Sequence, residues 1–123
     1  MTKHTPTVCL CMIVKNESAV IRRSLDSVRP YISTWVICDT GSDDDTMDII
    51  RDYFSKYKIP GRLHETPWVD FGSNRTTCLH LAYQKAQFLL MLDADEVIVH
   101  RPGVHPFRGL KEGVDAYSIA MSG

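Results

Sequence analysis

The chain reads as an α/β domain: a mainly parallel sheet with helices packed on both faces. Three observations carry that reading. Short apolar runs alternate with longer segments whose apolar residues recur at helical spacing, the order produced by strands joined through crossover helices. The strongest runs have no polar interruption, as strands buried on both faces should. Polar clusters stand where the runs end, and in an open parallel sheet those ends share one ligand-binding edge.

Each element has its own warrant. Val8 to Val14 is a continuous apolar strand. Glu17 to Tyr31 follows with Val20, Ile21, Leu25 and Val28 at helical spacing, and Pro30 marks its end. Trp35-Val36-Ile37-Cys38 is a second strand, leading into the polar stretch Asp39 to Thr46. A helix carrying Met47, Ile49, Ile50, Tyr53, Phe54 and Tyr57 comes next, stopped by Pro60-Gly61. Gly61 to Glu65 fits a weaker third strand, and Phe71 to Gln87 a helix with Cys78, Leu79, Ala82, Tyr83 and Ala86 on one side. The run Phe88 to Leu92 is the fourth strand. Beyond it, Arg101-Pro102-Gly103 is loop, Pro106 to Gly113 a short helix or turn, and Val114 to Met121 a fifth strand. The 123 residues make a single domain, a size that buries about two-thirds of the unfolded surface.

Chemistry concentrates at the strand ends. Asp93-Ala94-Asp95-Glu96 follows the fourth strand, and Asp93 and Asp95, two apart, point the same way if the segment is extended. Two convergent carboxylates suit a hard divalent cation, which is commonly shared with a diphosphate. The same four residues also fit a solvated turn with Asp95 or Glu96 capping a helix. Lys15-Asn16-Glu17 follows the first strand, Asp39 the second, and Ser73-Asn74-Arg75 opens the third helix. Asp39 could accept an imide N–H of uracil or pair with ribose hydroxyls. Gly41 permits a tight turn, Ser42 or Asp43 can cap the next helix, and Arg75 offers a guanidinium fork to phosphate or a base carbonyl. Plainer readings stand beside these. Asp44 and Asp45 suit a helix N-terminus without a ligand, Glu17 could be only a first-turn acid, and Arg75 could pair with Glu65 or Asp70.

Composition narrows the classes. With 14 basic and 15 acidic residues the net charge is -1, so there is no electrostatic case for nucleic acid or an anionic membrane. No run approaches a transmembrane length, and the N-terminus lacks a signal-peptide core; the expectation is a soluble, cytoplasmic protein. Cys9, Cys11, Cys38 and Cys78 have no zinc spacing and read as buried free thiols. His100 and His105 follow the carboxylates as candidate metal partners or plain loop residues. A phosphate cradle of the G-x-x-x-x-G-K type is missing, which argues against a P-loop enzyme.

The stretches Leu10 to Glu17, Val36 to Thr46, Phe71 to Arg75 and Leu90 to Glu96, in this order, resemble the family 2 inverting glycosyltransferases of the GT-A fold. More narrowly, the chain is similar to the bacterial and viral branch related to lipopolysaccharide core glucosyltransferases. The resemblance implies a GT-A, Rossmann-like sheet and a UDP-sugar donor bound with Mn²⁺ or Mg²⁺. It also implies a nucleotide-sugar site of Val14, Asn16, Glu17, Asp39, Gly41, Arg75, Asp93 and Ala94. Within that site Asp39 would meet the nucleobase, Glu17 the nucleoside, Arg75 the base or diphosphate, and Asp93 the ribose or sugar. Asp95, closing the D-x-D motif, would ligate the metal together with Asp93.

Family members continue into an acceptor-binding half that supplies a carboxylate base, whereas this chain stops at Gly123, soon after the D-x-D region. Glu96 and Glu112 are the available carboxylates, and neither sits in a matching motif. The expectation is a donor-binding domain for inverting transfer to an acceptor hydroxyl of a saccharide, lipid-linked glycan or protein. The alternative is a non-catalytic nucleotide-binding or assembly module. On either reading an uncovered sheet edge favours a homodimer.

Overall fold

A computed structural model of the chain describes residues 7–98 and two short strands at Ala116–Tyr117 and Met121–Ser122. Among the described residues the elements are β1 (Val8–Val14), α1 (Ile21–Val28), β2 (Thr34–Asp39), α2 (Thr46–Tyr57), β3 (Gly61–Glu65) and α3 (Phe71–Ala82). They continue with β4 (Phe88–Met91), β5 (Glu96–Val97), β6 (Ala116–Tyr117) and β7 (Met121–Ser122). The main sheet runs β3-β2-β1-β4-β6, with every neighbouring pair parallel. β5 and β7 pair antiparallel beside it.

Strand alternation divides the core between two faces. Val8, Leu10, Met12 and Val14 of β1 join Trp35, Ile37 and Leu90 on one face, under Ile21, Leu25 and Val28 of α1 and Ile50 and Phe54 of α2. Cys9 and Cys11 join Val36, Cys38, Leu89 and Met91 on the other, under Cys78 and Ala82 of α3. All four cysteines are free and buried, as expected. Each fully buried leucine or isoleucine in these layers contributes about 1.5–3 kcal/mol of transfer free energy.

The chain leaves central β1 toward β2 on one side and later returns to β4 on the other. The carboxyl ends of β1 and β4 therefore flank a topological switch point, where a crevice opens in such sheets.

Helix ends differ from the sequence reading, for local reasons. α1 begins at Ile21 rather than Glu17: Val20 leaves helical geometry (φ -125°, ψ -14°), and the preceding Glu17 N and Ser18 N bond to Thr46 Oγ1 (2.9 Å) and Asp44 Oδ2 (3.3 Å) in the β2–α2 loop. α2 ends before Pro60, at Lys58, whose left-handed backbone (φ 57°) returns its N–H to Phe54 and Ser55 carbonyls. α3 stops at Ala82: Tyr83 turns extended, Gln84 is left-handed (φ 65°), and Gln87 exchanges hydrogen bonds with Thr7 at 2.8 and 3.0 Å. That reversal feeds β4 into place beside β1.

Of the fifth strand expected over Val114 to Met121, the described residues Ala116–Tyr117 pair with β4, and Met121 lies in β7, which pairs with β5. β5, two residues long, is below what periodicity can detect. The readings for Arg101 to Gly113, with His100, His105 and Glu112, lie outside the described residues.

Candidate functional site

The loops after β1 and β2 are bonded to each other along their length. Asn16 takes a left-handed conformation (φ 54°), which asparagine tolerates. Its N–H donates to Ser42 Oγ (2.8 Å), and its amide oxygen accepts from Asp43 N (2.8 Å) and Asp44 N (3.3 Å). Thr40 ties back to the Val14 carbonyl through both N–H (3.0 Å) and hydroxyl (3.2 Å).

The expected helix cap is corrected here. Ser42 serves Asn16, and it is Asp44 that accepts from Thr46 N (2.9 Å) and the Thr46 hydroxyl. Those bonds hold the Asp44 carboxyl down at a pKa of about 2, the Thr46 hydroxyl contributing most.

Asp39 closes β2 with its carboxylate buried, 2% exposed. Oδ1 accepts from Gly41 N at 2.8 Å and Ser42 N at 2.7 Å, shaping the turn. Gly41 has φ 122° with open space where a Cβ would stand, so glycine is there for conformation rather than room. Oδ2 is buried and has no partner among the described residues. A buried carboxylate oxygen left unpaired is expensive, and a ligand N–H or O–H would satisfy it.

The acidic turn after β4 is fixed from behind by α1. Arg23 donates to the Asp95 carbonyl (3.1 Å), Ser24 Oγ to the Asp93 carbonyl (3.4 Å), and Ser27 Oγ accepts from Ile98 N (3.0 Å). Asp93 N donates to Glu96 Oε1 (3.1 Å) and Glu96 N to the Asp93 carbonyl (2.9 Å), so Glu96 folds back onto the turn. Ala94 is 1% exposed and packs with the core.

Asp93 is half-buried and Asp95 exposed. Burial, then Glu96, then Asp95 push the Asp93 pKa up, while Arg75 pulls it down. Glu17 is raised by burial first and then by Asp95, Asp93 and Asp44. These carboxylates thus share one field, although the sequence places Glu17 far from Asp95.

A cleft of about 360 Å³ lies over the switch point. Ile13, Val14, Trp68 and Phe71 form its apolar walls, and Lys15, Glu17, Thr40 and Asp93 its polar ones. Arg75, exposed on α3, lies over the Phe71 ring at 5.0 Å from its centre. Among the described residues it forms no ion pair with Glu65 or Asp70. Asp70 instead caps α3 through Ser73 N (2.7 Å), and buried Asn74 bonds the loop before the helix. No group of three or more His, Cys, Asp or Glu among the described residues is arranged to hold a metal.

Of the residues singled out in the sequence, Val14, Glu17 and Asp93 line this cleft and Asp39 ends the neighbouring strand, whereas Trp68 in the cleft wall and Arg23 and Ser24 behind the acidic turn were not among them. The signal for Trp68 was available: a large aromatic in the short, proline-containing link between β3 and α3.

Residues 9–101 match the family described as glycosyl transferase family 2. The chain belongs to that family. Its curated relatives include a TPR repeat-containing protein of Synechococcus elongatus, 34% identical over 93 residues, spanning 75% of this chain and 21% of that protein. Another is the SPbeta prophage-derived glycosyltransferase SunS of Bacillus subtilis, 32% identical over 93 residues, spanning 76% of this chain and 21% of SunS. The family 2 chain thus spans about a fifth of these relatives' length.

Among solved structures it is similar to the mannosyltransferase PcManGT from Pyrobaculum calidifontis, a complex with GDP-Man and Mn²⁺. The match has a TM-score of 0.67 at 23% identity over 80% of this chain and 30% of that one. S. aureus TarS 1–349 in complex with UDP matches with a TM-score of 0.61 at 21% identity, over 75% of this chain and 28% of that one. These likenesses establish the GT-A, Rossmann-like fold expected from the sequence. No helix among the described residues is long and apolar enough to cross a membrane.

Proposed function

We propose that the chain is the donor-binding part of an inverting glycosyltransferase, taking a UDP-sugar with a divalent cation. The observation that carries this is Asp39 Oδ2, a buried and unpartnered acceptor at the carboxyl edge of the sheet. Asp39 would accept the imide N–H of uracil, while Oδ1 keeps the loop in shape. Val14 and Glu17, both in the cleft wall, would lie against the nucleoside, and Arg75 would meet the diphosphate. Asn16 and Gly41 act by holding the loops in place.

The donor set at the acidic turn suits a hard cation. Asp93 and Asp95 offer carboxylate oxygens, their repulsion with Glu17 would be relieved by positive charge, and Glu96 is engaged within the turn. With two protein carboxylates, remaining ligands would come from diphosphate and water, the usual arrangement for Mg²⁺. Mn²⁺ or Mg²⁺ held there would neutralise charge on the departing UDP. Proteins of similar fold add support: PcManGT is in complex with GDP-Man and Mn²⁺, and the glucosyl-3-phosphoglycerate synthase of Mycobacterium tuberculosis with Mn²⁺, UDP and phosphoglyceric acid. An inverting transfer also needs a base for the acceptor hydroxyl, and we assign none to the described residues.

Calorimetric titration with UDP, UDP-glucose and GDP, each with and without Mn²⁺, tests the proposal. Metal-dependent binding of UDP ligands, abolished by Asp95→Ala, is the expected result. A folded chain that binds none of them would overturn the donor-site reading, and preference for GDP would reassign the donor.

A further inference from the structure

We propose that Trp68 is the stacking surface for the donor's nucleobase, backed by Phe71 and positioned by Asn74. The inference rests on the donor-binding reading and deepens it. Trp68 is 52% exposed and Phe71 56%, yet neither belongs to a loose segment. Asn74, itself 3% exposed, accepts from Val69 N at 2.9 Å and donates to the Pro67 carbonyl at 3.0 Å. Its amide therefore clamps the backbone on both sides of Trp68. Two residues earlier, Thr66 N donates to the Asp39 carbonyl at 2.9 Å, tying the same segment to the end of β2.

A buried polar side chain spent on holding an exposed indole is not explained by folding alone. Leaving the ring half in water gains little burial, and ordering it costs entropy. Pre-ordering a wall for a ligand does account for it. The Trp68 and Phe71 rings meet edge-to-face, 5.9 Å between centres at 86°, so each braces the other.

The occupant is narrowed by what surrounds the rings. The walls they form with Ile13 and Val14 are apolar while Lys15, Glu17, Thr40 and Asp93 line the rest, which favours a ligand with a flat unsolvated face and a polar remainder. Asp39 Oδ2, buried and unpartnered at the strand end to which this loop is tied, would be satisfied by a ligand that also carries a donor on its edge. A nucleobase has both features, whereas a phosphate has neither. Toward Arg75 and Asp93 the character of the site changes to charge, which suits a diphosphate leading away from the base.

The test compares UDP with inorganic pyrophosphate, each with Mg²⁺, by calorimetry on the wild-type chain, Trp68→Ala and Trp68→Phe. Tryptophan emission is followed in parallel, Trp35 being buried background. Because Trp68 lies on the surface, the variants should fold, and circular dichroism checks that they do. Trp68→Ala should weaken UDP roughly 5- to 150-fold, the range of one lost base–aromatic stack, while pyrophosphate binding is unchanged. Trp68→Phe should lie between, and UDP should alter the emission of the wild type but not of Trp68→Phe. If Trp68→Ala binds UDP as tightly as wild type, or weakens both ligands alike, the stacking role is wrong while the donor site stands. If the wild type binds no UDP, the donor reading has failed and takes this inference with it.

Discussion

Asp39→Asn separates the two tasks of one carboxylate. Oδ1 shapes the loop through Gly41 N and Ser42 N, and Oδ2 is left for a ligand. Asparagine keeps a carbonyl oxygen for the two loop N–H groups and turns the other position from acceptor to donor. The loop should therefore survive, and removing a buried, half-satisfied charge leaves stability close to wild type. A ligand imide N–H would now face an amide N–H. Losing a hydrogen bond to a charged acceptor costs about 1.5–3 kcal/mol, roughly 10- to 150-fold in Kd. Asp39→Ala is a poorer probe. It strips both loop bonds, about 3–6 kcal/mol by the same measure, which is a large part of a typical domain's stability. The assay is calorimetric titration with UDP and Mn²⁺ beside thermal unfolding of the same samples. Unchanged affinity in a variant of unchanged melting temperature would refute the assignment of Oδ2 to the base. A collapse in melting temperature would show instead that charge at Asp39 holds the loop.

Two further outcomes test the scaffold. Gly61→Ala places a methyl onto the Trp35 ring, which stacks on Phe54 at 4.3 Å and is anchored by its Nε1 to the Ile59 carbonyl (2.9 Å), so the ring has little room to yield. Thermal unfolding should show a loss of about 1–3 kcal/mol, and an unchanged melting temperature would show that β3 shifts freely at the sheet edge. Asp44→Asn should lower the melting temperature at pH 7, because the folded carboxyl is held down to about 2 from an ordinary 3.8 by Thr46 and Ser18. A depressed carboxyl contributes stability above its unfolded value and loses it as pH falls through its folded value. The difference between variant and wild type should therefore be full above about pH 5 and shrink between pH 4 and 2. A difference that persists unchanged at pH 2 would mean that the charge on Asp44 is not what matters.

Strands were legible because their signal is local. β1 falls where its apolar run begins and ends, β2 and β4 lie within a residue of theirs, and β3 spans Gly61–Glu65 as expected although only Leu63 in it is apolar. Helix ends were less so, since the segment ahead of α1 is held by a loop 26 to 29 residues away, and α3 is cut short by the need to reverse beside Thr7. The same division runs through the site. Asp39, Asp93 and Asp95 announced themselves as carboxylates placed just where apolar strands end. Asn74 stood in the polar cluster opening the third helix, and only the structure showed that its amide holds the Pro67–Val69 backbone.

By itself the sequence determined which segments are strands, which face of each helix is apolar, and which acids stand at strand ends, because burial and backbone geometry impose short periods on the chain. Only the tertiary structure decided that β1 and β4 are neighbours, so that Glu17 and Asp93 share a cleft and Asp93 helps to raise the Glu17 pKa. It alone left Asp39 with one satisfied oxygen and one unsatisfied, and set an exposed tryptophan over the same crevice. These are matters of distance and solvent access between remote segments, which no local pattern encodes.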